Sequence, residues 1–208
     1  MAKTPAAQDT DIGGTRQVIL AAAAKLFRER GFAETTTRDL GKAAGIRGPS
    51  LYHHFETKQD LLFGVCRESV RRLRVAADGV PPVGTVDEQL DALILTHVET
   101  VVSDPDLHAV AMVDSRALTG ERRAAIVEAR EGYERRIERL IKTGQEQGTI
   151  RSDMSAHDVT LFLFSMLNWT LFWQRTPGSA DASQLAVRLS RLFFDGANAQ
   201  STEPLTIS

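Results

Sequence analysis

The segment TTRDLGKAAGIRGPSLYHHF, residues 36–55, specifies the local fold near the N-terminus. It begins with Thr36, which can cap a helix, and Asp39 stands at the third position of that helix. Gly45 ends this short helix, and Pro49 suits the opening of the next one. The segment therefore predicts two short helices joined by a glycine turn.

A preceding helix and a following helix brace this pair. The first helix has an apolar stripe, and Phe32 can fold back on Phe27 at its end. After the pair, Thr57 and Asp60 repeat the capping pattern at the start of a long fourth helix. This arrangement is a helix-turn-helix, which places its second short helix in the major groove of DNA. We therefore predict that residues 36–55 bind DNA.

The rest of the chain is predicted to be helical as well. Apolar residues recur at intervals of three and four, and no stretch alternates with the period of two typical of half-buried strands. The stretch GVPPVGT, residues 79–85, contains two prolines and two glycines and marks a boundary. We expect an all-α protein of about nine helices, with a three-helix DNA-binding domain joined by a long helix to a C-terminal helical domain.

The expected domain division follows these breaks. Residues 1–14 contain no apolar run and are expected to be a disordered arm rather than a signal peptide. Residues 15–78 form the first domain with its linking helix, residues 79–197 the second domain, and residues 198–208 a disordered tail. The most apolar stretch, residues 159–173, is shorter than the ~17 to 25 residues of a spanning helix, so we expect no contact with a membrane.

Charge and cysteine content narrow the class of protein. The net charge is −2, but residues 1–78 carry +4 and residues 79–208 carry −6. A mildly basic head on an acidic body is typical of a DNA-binding unit joined to a separate module. The single cysteine, Cys66, cannot form an internal disulfide, and there is no Cys/His cluster with metal-ligand spacing. We therefore expect a cytoplasmic protein without a metal or cofactor.

Small and polar side chains of the motif are the candidates for DNA contacts. Backbone N–H groups at a helix N-terminus favour an anionic phosphate. The candidates at helix N-termini are Thr36, Thr37, Arg38 and Lys58. Those on the second short helix and its lead-in are Arg47, Gly48, Pro49, Ser50, Tyr52, His53 and His54. The small residues allow close approach to base edges, whereas the larger rings can reach phosphates.

Several separated elements of this region resemble the DNA-binding domain of the TetR (tetracycline repressor) family. They are TTRDL at 36–40, AGI at 44–46, LYHHF at 51–55 and KQDL at 58–61, within a match of about residues 15–65. The resemblance implies phosphate contacts from Thr36, Tyr52, His54 and Lys58. It also implies base reading around Arg47, Pro49, Ser50 and His53.

Arg47 and Pro49 depart from the family pattern. The family often has Ser or Thr where Arg47 stands, so the usual cap of the third helix is missing and this cation can reach a guanine or a phosphate instead. Pro49 is less common in the family and stiffens the start of the helix. We expect the sequence specificity of this protein to lie at these two positions.

For the rest of the chain, the resemblance implies a homodimeric repressor that binds a palindromic double-stranded operator and releases it on binding a small hydrophobic effector. Residues 79–197 would then be the ligand-binding and dimerisation domain, with its last two long helices in a four-helix dimer interface. The helix over residues 156–174 is apolar almost all round, which fits an interface or, alternatively, a central core helix. Candidate interface residues are Phe162, Met166, Trp169, Trp173, Leu189 and Phe193.

Three polar residues set in apolar surroundings are candidates for effector binding. They are His97, Arg116 and Asn168, although such residues also occur as satisfied core or surface groups. Residues 148–151 and 168–173 look like a branch of the family that answers to acyl-CoA thioesters. The phosphates of such an effector would lie near Arg122 or Arg123.

Two other classes of protein remain as alternatives. A small all-helical enzyme would need a nucleophile with a nearby base, but the five histidines lie in separate contexts and no catalytic residue is predicted. The adjacent His53 and His54 diverge by about 100° around a helix and do not converge on one metal ion. A helical adaptor that dimerises without binding DNA is the second alternative.

Overall fold

The computed structural model describes residues 6–46, 48–173 and 181–197. Over these residues it contains nine α-helices and no strand, which confirms the predicted all-α class. Within the same residues no helix is both long and apolar enough to cross a membrane. The helices are α1 (Ala6–Arg30), α2 (Thr37–Ala43), α3 (Gly48–His54), α4 (Lys58–Asp78), α5 (Val86–Ser103), α6 (Pro105–Val113), α7 (Gly120–Gln147), α8 (Ala156–Trp173) and α9 (Ala182–Ala197).

The predicted turn chemistry is confirmed around the two short helices. Gly31 ends α1 with a φ of 85° and Gly45 ends α2 with a φ of 67°, both in the left-handed region that favours glycine. Phe32 folds back on Phe27 with ring centroids 5.3 Å apart. Residues 79–85 separate α4 from α5, as the proline and glycine content predicts.

One helix boundary differs from the prediction. Helix α1 begins at Ala6, so residues 6–14 are helical rather than a disordered arm; no proline interrupts this stretch, although it contains Thr10, Gly13 and Gly14, which are poor helix formers. Helix α6 ends at Val113 and is followed by a 3-10 turn at Asp114–Ala117. Residues 1–5 and the predicted tail at 198–208 lie outside the described residues.

The N-terminal unit comprises the described residues of Met1–Ser69 together with Asp106–Val127. Residues 106–127 therefore belong to the same compact unit as the helix-turn-helix. A division of the chain at residues 79–85 would have placed them in the second domain. Its core is built from the inner faces of α1 to α4 with residues of α6 and α7, including Phe27, Leu40, Leu51, Leu62 and Val110. This packing fixes α2 and α3 on the unit.

The C-terminal unit comprises Val70–Pro105 and the described residues of Glu128–Ser208. Its core joins α5, α7, α8 and α9, and α5 packs against both α8 and α9. The buried face of α5 is the one that the periodicity predicts: Leu90, Leu93, Ile94, His97, Val98 and Val101.

Candidate functional sites

Helix α2 begins with a reciprocal cap. The amide of Asp39 donates to the hydroxyl of Thr36 at 3.2 Å, while that hydroxyl and the amide of Thr36 donate to the Asp39 carboxylate at 2.6 and 3.2 Å. The hydrogen bonds from Thr36 hold the pKa of Asp39 below its ordinary value. Because the cap uses both donors of Thr36, the amides of Thr37 and Arg38 are the better placed donors for a phosphate at this helix end.

Helix α3 has one buried face and one exposed face. Leu51 and Phe55 are buried in the N-terminal core, whereas Tyr52 is 51% exposed and His53 is also exposed. The hydroxyl of Tyr52 donates to the Thr37 hydroxyl at 3.3 Å, which links α3 to α2. The exposed face is therefore held in a fixed orientation relative to the start of α2.

The other residues predicted on this helix are placed as follows. Ser50 and His54 are half-buried. Gly48 and Pro49 form the first turn of α3, and Arg47 lies outside the described residues.

Lys58 occupies a different environment from the one that the sequence suggests. Its ammonium donates to the carbonyl oxygens of Phe32, Ala33 and Thr35 at 2.8, 3.1 and 3.0 Å, and lies 4.5 Å from the centre of the Phe32 ring. An ammonium has three N–H donors, and all three are used. In this structure the Lys58 ammonium stabilises the turn between α1 and α2. Its contact with a phosphate stays a prediction, and the three carbonyl oxygens compete with the phosphate for the same donors.

Lys42 is a cation that sequence reasoning missed. It lines a surface depression together with Arg38, Ile46 and Tyr52. Lys42 follows Arg38 by four residues on α2, and this spacing places both cations on the same side of the helix. The spacing of Arg38 and Lys42 in the sequence could therefore have predicted a basic patch beside the exposed face of α3.

The cap of α4 also engages a predicted effector residue. The Asp60 carboxylate accepts from the amide and hydroxyl of Thr57 at 3.0 and 2.6 Å, and from Nε of Arg122 at 2.8 Å. The Thr57 hydroxyl and then Arg122 lower the pKa of Asp60. Arg122 is therefore paired within the N-terminal unit, and Arg123 is exposed. A contact of either arginine with effector phosphates stays a prediction.

His97 lies in an aromatic cluster of the C-terminal unit, which we call the aromatic core. Its Nδ1 is hydrogen-bonded to the hydroxyl of Tyr133 at 3.0 Å, and the Phe164 ring meets the two rings edge-on at centroid distances of 5.7 and 5.5 Å. Burial raises the pKa of Tyr133. This cluster places a polar pair inside an apolar environment, and Tyr133 is the partner that the sequence did not identify.

The other two predicted effector residues are not both near this cluster. Asn168 is half-buried on α8, one turn after Phe164. Arg116 is exposed on the 3-10 turn, which belongs to the N-terminal unit.

The predicted interface residues divide into two groups. Phe162 and Trp169 are 59% and 52% exposed, and with the exposed Leu161 they form what we call the α8 stripe. Leu189 and Phe193 are buried in the core of their own chain, where α9 packs on α5, so little of either side chain is left for a second copy, and their place in a dimer interface stays a prediction. Met166 is half-buried, and the side chain of Trp173 lies outside the described part of the structure.

A serine–histidine contact was also missed. Ser69 Oγ lies 2.9 Å from Nδ1 of His108, and both side chains are buried in the N-terminal unit. A catalytic nucleophile must reach its substrate, so burial favours a structural role for this pair.

Comparison with known proteins identifies the family. Residues 19–65 match the family model for bacterial regulatory proteins of the tetR family, and residues 83–197 match the tetracyclin repressor-like C-terminal domain. The HTH-type transcriptional repressor KstR2 of Rhodococcus jostii is 29% identical over 204 residues, covering 94% of this chain and 97% of that protein.

Solved structures share the fold over most of the chain. The TetR family transcriptional regulator PfmR from Thermus thermophilus superposes with a TM-score of 0.78 at 27% identity, covering 85% of this chain and 97% of PfmR. AibR, solved in complex with isovaleryl coenzyme A and operator DNA, superposes with a TM-score of 0.79 at 23% identity, covering 86% of this chain and 98% of AibR. Because the C-terminal family model alone spans more than half of the chain, this protein belongs to the TetR family of bacterial regulatory proteins.

Proposed function

We propose that this protein is a homodimeric repressor that binds a palindromic operator through α3 and leaves it when a small hydrophobic effector of the acyl-CoA class binds. The observation that carries this proposal is the exposed face of α3, held by the bond between Tyr52 and Thr37. In helix-turn-helix proteins such a face enters the major groove. Residues 15–78 would supply the reading head, and residues 79–197 the dimer contacts and the effector site.

The proposed DNA contacts divide by chemistry. The amides of Thr37 and Arg38 supply donors for phosphate oxygens, as does the hydroxyl of Thr37, which accepts from Tyr52 and keeps its own proton; Lys42 adds charge beside them. Ser50 and His53, with Arg47 and Pro49, would contact base edges. Phosphate contacts position a protein on DNA, whereas base-edge contacts provide its sequence preference.

The proposed dimer uses the α8 stripe. Phe162 and Trp169 are large apolar side chains exposed on the same side of one helix. Exposed apolar surface of this kind is stabilised by burial in a partner. A second copy is the natural partner because a palindromic operator requires two identical reading heads related by a two-fold axis.

The proposed effector site is the aromatic core. Among acyl-CoA thioesters, the acyl chain is apolar and the thioester carbonyl accepts hydrogen bonds. The rings of Phe164 and Tyr133 would contact the chain, and the polar pair of His97 and Tyr133 offers a donor for the carbonyl. The relatives fit this class of effector, since AibR was solved with isovaleryl coenzyme A.

Salt dependence of DNA binding tests the reading head. Genomic fragments that the protein retains would first supply the operator, and fluorescence anisotropy would then measure affinity across a range of salt. We expect Lys42→Ala to reduce the slope of log affinity against log salt by about 0.9 for each phosphate that the variant no longer neutralises. We expect Lys58→Ala to weaken binding without changing that slope, because its ammonium is used inside the protein.

Lys25→Ala, which removes an exposed cation from α1, is the matched control. It should change neither the affinity for the operator nor the slope of log affinity against log salt. Equal slope changes for Lys58→Ala and Lys42→Ala would mean that Lys58 reaches a phosphate in the complex. A wild-type protein that retains no genomic fragment would instead support the adaptor alternative.

A further inference from the structure

The ring of Phe55 anchors the C-terminal end of α3. Phe55 directly follows this helix and continues its last turn, because its amide donates to the carbonyl of Leu51 at 2.9 Å. The ring is buried in the core of the N-terminal unit. Since the side chain stands at the very end of α3, a shift of the ring is passed to the backbone of that helix.

The guanidinium group of Arg16, on α1, covers this ring. Its central carbon lies 4.6 Å from the ring centre, within the ~6 Å of a cation–π contact. Arg16 is half-buried, and Arg67 and Glu68 of α4 are close enough to act on it electrostatically. Arg16 therefore holds the Phe55 ring from α1, beside the charged residues of α4.

Gly64 of α4 leaves room for the edge of the same ring. A Cβ atom at Gly64 would lie 2.9 Å from Cε1 of Phe55 and 2.9 Å from Cδ2 of Leu20. Carbon atoms in contact are ordinarily ~3.5–4.0 Å apart, so these side chains would have to move by about 0.6 Å. Both are buried in a close-packed core and have no open space beside them. Glycine is a poorer helix former than alanine, so the space for the ring explains Gly64 better than helix propensity does.

We propose that Gly64 and Arg16 are positioning residues that set the sequence discrimination of α3 by fixing the ring of Phe55. This inference rests on the proposed function, since it takes α3 as the helix that contacts base edges. The bond between Tyr52 and Thr37 ties α3 to α2, and the Phe55 ring ties its end to α1 and α4. Two anchors on different helices fix the angle of α3 as well as its place.

A small displacement of α3 should affect specific and non-specific binding differently. Hydrogen bonds to base edges depend steeply on distance and angle. Non-specific affinity comes from charges near phosphates, and these interactions change little over a fraction of an ångström. The ratio of operator affinity to affinity for unrelated DNA therefore reports the position of α3. A loss of folded protein lowers both affinities by the same factor and leaves this ratio unchanged.

The test compares Gly64→Ala with the matched control Gly144→Ala in full-length protein. The control introduces a similar clash in the C-terminal unit, where the added Cβ would lie 2.7 Å from Cδ1 of Ile150. Fluorescence anisotropy at one salt concentration measures the affinity for the operator and for a fragment of unrelated sequence. We expect Gly64→Ala to lower the ratio of these affinities about tenfold, the order of one lost base contact. Gly144→Ala should leave the ratio at its wild-type value.

Arg16→Gln is the second variant and decides the question if Gly64→Ala does not fold. We expect it to lower the ratio about two- to fivefold, which corresponds to the strength of one cation–π contact at an exposed site. The slope of log affinity against log salt should not change, because the guanidinium contacts a ring and not a phosphate. In a Phe55→Leu background, Arg16→Gln should have little further effect, since the ring through which it acts is absent.

The remaining outcomes would each overturn a stated part of the proposal. Ratios equal to wild type in both Gly64→Ala and Arg16→Gln would reject the positioning role and leave α3 as the reading helix. An equal loss in Gly144→Ala would show that any clash in a core lowers the ratio. A shallower salt slope in Arg16→Gln would mean that Arg16 reaches a phosphate. Equal affinity of the wild-type protein for operator and unrelated DNA would reject the proposed reading head, and this inference with it.

Discussion

The carboxylate of Asp60 stabilises the N-terminal unit in two ways. It caps α4 through Thr57, and it accepts from Arg122 at the start of α7. Both contacts favour the ionised form, which is why the pKa of Asp60 is lowered from 3.8. A group whose pKa is lower in the folded state adds stability above its unfolded pKa, and this stability is lost as pH falls through the folded pKa.

We therefore expect Asp60→Asn to lower the free energy of unfolding by about 1–2 kcal/mol at neutral pH. The deficit should shrink as pH falls from 3.8 through the lower pKa of folded Asp60, where the wild-type carboxylate becomes protonated as well. Urea unfolding followed by circular dichroism at several pH values measures both effects. The control Asp195→Asn, at an exposed site on α9, should change stability little. A deficit that is the same at every pH would contradict the role of the charge.

Helix ends were predictable from sequence because their causes are local. The Thr36 and Thr57 caps each involve a residue three positions away, so the pattern of side chains contains all the information needed. Lys58 was not predictable in this way, since its carbonyl partners lie 23 to 26 residues earlier. Nothing in the local sequence distinguishes an ammonium that binds these carbonyls from one that binds a phosphate.

The faces of α8 and α9 show a second limit of sequence reasoning. An apolar stripe predicts that one face of a helix is buried, but it does not say whether the same chain or another chain buries it. Leu189 and Phe193 belong to such a stripe and pack within their own unit. On α8 the apolar pattern left an interface helix and a central core helix open, and the exposed Phe162 and Trp169 are apolar surface that the single chain does not cover.

We expect the double variant Phe162→Glu/Trp169→Glu to be monomeric. Two buried carboxylates at the centre of an interface would face their copies across the two-fold axis, and the cost of desolvating them far exceeds that of removing two apolar side chains. Light scattering after size-exclusion chromatography measures the mass directly. The fold should persist, because both side chains are exposed in the single chain.

Val127→Glu is the control, since it places one carboxylate on an exposed apolar site of α7, outside the α8 stripe. It should remain dimeric at all concentrations used. If the double variant also remains dimeric, the α8 stripe is not the interface, and the copies associate through another surface.

The molecule as a whole combines a basic head with an acidic body, with charges of +4 over residues 1–78 and −6 over residues 79–208. The acidic part repels DNA, so favourable electrostatic contact is confined to the region that contains α2 and α3. A single head of this modest charge binds DNA weakly. Linking two heads in one dimer makes the second binding event intramolecular, which raises affinity by about 10² to 10⁴-fold.

This linkage makes the spacing of the operator half-sites a test of the whole assembly. Two recognition helices reach successive major grooves when the half-sites are about one turn apart, ~34 to 36 Å. An insertion of about five base pairs between the half-sites turns one of them to the opposite side of the duplex. We expect this insertion to lower the affinity of the wild-type dimer about 100-fold or more, because only one head can then bind. Fluorescence anisotropy on the two DNA fragments at constant salt measures the ratio.

The monomeric variant Phe162→Glu/Trp169→Glu separates the effect of linkage from any change in the DNA. It should bind the original and the expanded operator with equal, weak affinity, since each of its heads binds alone. The control Val127→Glu should discriminate between them as strongly as wild type does. If the wild-type protein tolerates the insertion, its two heads are not held at a fixed spacing, and release by an effector cannot operate by changing that spacing.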